Sequence, residues 1–182
     1  YSMVWMEKHT GAHEAVPQPV RPFPELAPET PVVFAPGKPD AVSTPELLNA
    51  VMQHTIGGGS LLMLAGGMTS LCTHEWALLA SARILRRQPY GEISVEKTES
   101  PLTEEFGAAQ LWDEALFFER SVFDDSEMLV SMTLGKQSYP MIWTRRWYLG
   151  HVYCVGSLLG RSALDAYAPV VRSILNAMAG EG

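Results

Sequence analysis

The chain has 182 residues, of which 47% are hydrophobic and 18% charged, a balance that excludes a wholly disordered polypeptide and suffices for one domain with a buried core. Its formal charge of −7 argues against nucleic acid or an anionic membrane as the partner, because phosphates are neutralised by Lys and Arg. Only two cysteines are present, Cys72 and Cys154, too few for a disulfide scaffold, and no apolar run reaches the ~18 residues of a membrane span.

In chain order, Ser2-Met3-Val4-Trp5-Met6 reads as a short buried strand. Six prolines then fall between Val16 and Pro31. Proline fixes φ and lacks an N–H, so residues 16–31 are expected to run as an extended surface arm. Pro31 to Ala35 is a second apolar strand, ended by Pro36-Gly37. Ser43 and Glu46 have the spacing of a capping box, with Pro45 in the first turn. Leu47, Leu48, Val51, Met52 and Ile56 come next on one helical face, and Gly57-Gly58-Gly59 stops that helix. Ser60 to Ala65 is a third apolar strand, broken by Gly66-Gly67.

Apolar strands around an amphipathic helix predict a parallel sheet covered on both faces. The spacing then predicts a helix over Thr73 to Arg87, with Arg83, Arg86 and Arg87 at its carboxyl end, closed by Pro89-Tyr90-Gly91. Glu92 to Lys97 alternates as an exposed strand does. From Leu116 onward the texture changes: Leu116–Phe123, Met128–Leu134, Tyr139–Trp147 and His151–Ser157 are strand-like runs with short separators, predicting antiparallel pairing. Tyr167, Val170, Val171, Ile174, Leu175 and Met178 form the stripe of a closing helix, with Pro169 expected near its first turn. Residues 1–182 read as one domain, without internal repeats.

Three segments, in order, resemble the trehalose-utilisation (ThuA-like) branch of the class I glutamine-amidotransferase-like fold. They are Pro31 to Gly67, "PVVFAPGKPDAVSTPELLNAVMQHTIGGGSLLMLAGG"; Ser100-Pro101-Leu102-Thr103 followed by Leu111-Trp112-Asp113-Glu114-Ala115-Leu116-Phe117-Phe118; and Pro140-Met141-Ile142-Trp143-Thr144-Arg145 with Gly150-His151-Val152-Tyr153 and Ile174-Leu175-Asn176-Ala177-Met178. The resemblance implies an α/β fold with a flavodoxin-like parallel sheet, helices on both faces, and antiparallel additions in the C-terminal half. It also implies carbohydrate metabolism, with a disaccharide or an oxidised sugar as the small-molecule ligand. Amidotransferases of this fold carry a cysteine nucleophile where this chain has Ala65, and alanine cannot attack an amide. Glutamine hydrolysis by that route is therefore excluded.

In a parallel α/β sheet, ligands bind at the carboxyl ends of the strands. The loops expected there bring together His9, His13, Lys38, Asp40, Gly66, Gly67, His74 and Glu75. His74, Glu75 and His13 are the candidate proton carriers. His9, Lys38 and Asp40 are candidate sugar contacts, and Gly66 and Gly67 let backbone N–H groups approach a ligand. Asp113, with Glu114, either supplies a carboxylate to this cleft, as the resemblance implies, or forms a solvated turn. Arg145 either clamps a sugar oxygen with its fork or lies on the surface with its stem over Trp147. His9 and His13 do not read as a metal pair, because Gly11 disfavours the helix that would align them, and no cofactor is expected. Cys154 reads as an inert core thiol. The expected setting is cytoplasmic. The chain is expected to form a homo-oligomer, with the proline arm laid across a neighbouring subunit. A non-catalytic module of the same fold is the alternative to a sugar-acting protein.

Overall fold

The computed structural model of the chain describes residues 2–4, 26–34, 45–64, 74–120, 126–134, 136–156 and 161–180, with side chains undescribed at 2–4, 74–75, 83–91, 110–120, 134 and 161–164. Its elements are β1 (Ser2–Val4), β2 (Val32–Phe34), α1 (Pro45–Ile56), β3 (Ser60–Leu64), α2 (His74–Ala80), β4 (Ala82–Lys97), a 3-10 turn (Pro101–Thr103), β5 (Ala109–Arg120), β6 (Ser126–Leu134), β7 (Gln137–Trp147), β8 (Gly150–Val155) and α3 (Arg161–Met178). The strands form a single mixed sheet of order β1-β2-β3-β8-β7-β6-β4-β5. The first four in that order are mutually parallel, and the remaining pairs are antiparallel. This is an α/β architecture with its parallel part at the N-terminal side, as the apolar strands predict.

The parallel strands read as unbroken apolar runs because both of their faces are covered. Leu61 and Met63 of β3 pack with Leu47 and Val51 of α1 and with Trp76 and Leu79 of α2. Leu62 between them faces the other way, into a cluster with Tyr167, Val170, Ile174 and Met178 of α3. Such alternation reflects the period of two along a strand.

The stop of α1 is a Schellman arrangement. The Gly59 N–H donates to His54 O at 2.9 Å and the Gly58 N–H to Thr55 O at 3.1 Å, with Gly58 at φ +108°. Here the β7–β8 hairpin meets the helix end so closely that a Cβ on Gly150 would stand within 3.0 Å of Gly59 O and Thr55 O. His54 is 3% exposed, with its ring nitrogens 3.5 Å from Leu26 O and 3.4 Å from Ser60 O.

Several expectations are corrected. The helix over Thr73–Arg87 covers only His74–Ala80 of the described residues. Ser81, at φ +53°, turns the chain, and Arg83, Arg86 and Arg87 lie in β4, paired with β5. Pro89 does not end the element: it falls where the β4–β5 register shifts between Gln88 and Gly91, a position that needs no ladder hydrogen bond. Successive antiparallel pairing holds for β6, β7 and β8, but β4 is interposed between β6 and β5. Pro169 lies inside α3 rather than near its start, because that helix begins at Arg161. The proline arm is outside the described residues up to Glu25, and so is Ser43 of the capping box.

Candidate functional site

The parallel register sets the geometry of the expected rim. Val4 of β1 pairs with Phe34, Phe34 with Met63, and Met63 with Cys154, so four strands running in one direction reach the same level together. The segments downstream of β1, β2 and β3 therefore leave from a common edge. His9, His13, Lys38, Asp40, Gly66 and Gly67 belong to those segments and lie outside the described residues. His74 and Glu75 open α2; their backbone is described, their side chains are not.

Contacts with β2 and β7 hold α2 in place. Trp76, fully buried, stacks on Phe34, the last residue of β2, with ring centroids 4.7 Å apart and planes 13° from parallel. The helix thus lies across the sheet face beside the carboxyl end of β2. Its last turn reaches β7. The Ser81 N–H donates to Leu78 O at 3.3 Å, Arg145 Nη1 donates to the same carbonyl, and Trp143 Nε1 donates to Ala80 O at 2.7 Å.

Arg145 is therefore neither a surface residue nor a fork open to a ligand. It is 7% exposed, its guanidinium lies 4.6 Å from the centre of the Trp147 ring, and one of its nitrogens serves the end of a helix. The pairing with Trp147 is as the sequence suggests, with the charged head itself over the ring. Asp113 lies on β5, opposite Gly91 of β4. Along the sheet, β5 is separated from β3 by β8, β7, β6 and β4, so strand pairing does not bring Asp113 to the parallel rim. Trp143 is a core residue and offers no open ring for stacking. Tyr148 is exposed in the β7–β8 turn, at the end of β8 opposite the rim. Cys154 is fully buried, and burial pushes its thiol far above the ordinary range, with the Arg145 charge pulling weakly the other way. It is a core thiol.

Sequence reasoning missed the role of Trp76 and the bonds from Trp143 and Arg145 to the end of α2. A signal existed for the first, since Trp76 immediately follows His74-Glu75 and is large enough to anchor a short helix. Nothing local in the sequence links β7 to α2. Among the described residues, no group of three His, Cys, Asp or Glu is placed to hold a metal ion, and no helix is long and apolar enough to cross a membrane.

No family model matches the chain, and no curated protein matches it by sequence. Solved structures do. A thua-like protein from Bacteroides uniformis superposes with a TM-score of 0.60 at 13% identity, over 80% of this chain and 69% of that one. The cytoplasmic protein STM1381 from Salmonella typhimurium gives 0.58 at 14% identity, over 81% of this chain and 70% of that one. The cold-adapted β-galactosidase from Rahnella gives 0.62 at 12% identity over 81% of this chain, which spans only 22% of that enzyme. At such identities the likeness is one of architecture alone, and in architecture this chain is similar to a ThuA-like protein.

Proposed function

We propose that the chain is a ThuA-like protein of carbohydrate metabolism, which binds or acts on a disaccharide or an oxidised sugar at the carboxyl rim of its parallel strands. The observation that carries this reading is the level register of β1, β2, β3 and β8, with α2 anchored beside it by the stack of Trp76 on Phe34. The segments downstream of these strands supply His9, His13, Lys38, Asp40, Gly66 and Gly67. The amino end of α2 supplies His74 and Glu75. Sugar chemistry needs hydrogen-bond partners for hydroxyls and a pair of groups that exchange a proton, and this set contains both. With Ala65 in the nucleophile position, amidotransferase chemistry is not part of the proposal.

Calorimetric titration of the chain with trehalose, maltose, lactose and their aldonic acids tests the reading. Binding of at least one, weakened about tenfold by His74→Ala, is the expected result. Unaltered affinity and turnover in His74→Ala would remove that residue from the site.

A second reading is favoured by one finding: the same architecture occurs as 22% of the Rahnella β-galactosidase chain and 26% of an Opitutaceae exo-β-1,4-mannosidase chain. As a piece of a larger assembly, the chain would serve oligomerisation or partner binding. No sugar binding, together with a stable homo-oligomer by light scattering, is the result that would select it.

A further inference from the structure

We infer that Trp143 and Arg145 are positioning residues, which from β7 fix the helix that presents His74 and Glu75; the inference rests on the sugar-site reading above. The described residues of α2 number seven, below the ~12–15 residues at which an isolated helix holds itself together. Its place must come from its packing, through buried Trp76 and Leu79, and from the partners of its ends. The carboxyl end of a helix leaves carbonyls without partners and carries negative dipole charge. Here Leu78 O receives the Ser81 N–H and Arg145 Nη1, and Ala80 O receives Trp143 Nε1. A left-handed cap is already present at Ser81, φ +53°, and would by itself end a merely structural helix. In addition a cation is buried there, which is costly unless it is paired.

That cation is supported by a ring and by strand pairing. The Trp147 ring lies under the guanidinium. Arg145 and Trp143 sit opposite Val152 and Cys154 of β8, and Thr144 Oγ1 between them donates to Val152 O at 3.2 Å. The amino half of the helix is held by Trp76 on Phe34. The tilt of α2 is thus set by β2 on one side and β7 on the other, and the two candidate proton carriers stand at its opposite end. At ~1.5 Å per residue, they stand about 4.5 to 9 Å along the axis from the bonded carbonyls, so a change of tilt at the bonded end displaces them.

The test uses the full chain and the variants Trp143→Phe, Arg145→Met and Arg145→Lys. Hydrogen exchange of the α2 amides is measured beside the midpoint of thermal unfolding and titration with the same sugars. Trp143→Phe keeps an aromatic ring in the core while removing the donor and some volume, and unchanged exchange in α3 separates loss of the donor from a general loosening, so it reports on the proposal even if Arg145→Met fails to fold. The expected result is exchange about tenfold faster in α2 than in the unmodified chain, unchanged exchange in α3, and sugar affinity about tenfold weaker, with partial recovery in Arg145→Lys. Faster α2 exchange with unaltered sugar affinity would overturn the inference and leave the sugar site standing. Unaltered α2 exchange in Trp143→Phe would overturn it as well. If the unmodified chain binds none of the sugars, the sugar-site reading fails and this inference fails with it, an outcome read without any variant.

Discussion

Gly150 and Gly59 occupy one crowded junction, yet they answer to different neighbours. A Cβ on Gly150 would meet the backbone oxygens of Gly59 and Thr55, whereas a Cβ on Gly59 would meet the His54 ring. Backbone cannot move aside without breaking the end of α1, while a side chain can be trimmed. Gly150→Ala is therefore expected to cost about 3 kcal/mol or more, and His54→Ala should not relieve it; Gly59→Ala is expected to cost about 1–3 kcal/mol, and in a His54→Ala background much less. Urea unfolding of the three single and two double variants measures this directly. Cys154 makes a second prediction at this scale. Burial raises its thiol in the folded chain, so the unfolded chain loses its proton first, at about pH 8.5. The folded form then binds more protons than the unfolded one, and stability falls with rising pH. The loss steepens through pH 8.5 and approaches about 1.4 kcal/mol per pH unit only well above it. Denaturation at pH 8, 9 and 9.5 should show a total loss of about 1 kcal/mol from this group in the natural chain and a flatter dependence in Cys154→Ala. Tyr153, also raised by burial and by the Glu127 charge, adds a similar decline only above about pH 10.

Pro169 is the local irregularity among the elements. It lies inside α3, where it removes one helical hydrogen bond and crowds the preceding turn. The helix persists because Tyr167, Val170, Ile174 and Met178 bury a continuous stripe against the sheet. Pro169→Ala is accordingly expected to stabilise the chain, by roughly 1–3 kcal/mol in chemical denaturation. The same contest between local preference and packing decides what the sequence discloses. α1 and β3 are legible because capping residues, glycines and apolar period agree there. The helix expected over Thr73–Arg87 fails at Ser81. A serine at φ +53° carries no signal comparable to glycine, and Ala82 to Arg87 suits a strand or a helix equally well by local pattern. The run containing Pro89 misleads for a related reason: a register shift accommodates a proline that a regular ladder would reject.

At the scale of the whole molecule, the layered α/β plan is legible and the neighbour relations are not. Apolar runs identify buried strands, but they do not say that β8 pairs with β3 or that β4 separates β6 from β5, since those choices depend on residues far apart in sequence. The expectation of a site at one edge follows from direction, since β1, β2 and β3 are parallel and end at one level; the loop residues assigned to it lie outside the described residues. The means by which α2 is held there involves β7, more than sixty residues further along the chain, and no local pattern discloses it.

The seat of β8 between β3 and β7 governs when the sheet can assemble during synthesis. Until Gly150–Val155 has left the ribosome, the edge of β3 that β8 will occupy lacks its native partner, and α1 and α2 have no finished platform to rest on. Folding of the early half must wait for the last of the described strands, which makes nascent chains ending before Gly150 the form most exposed to misassociation along that open edge.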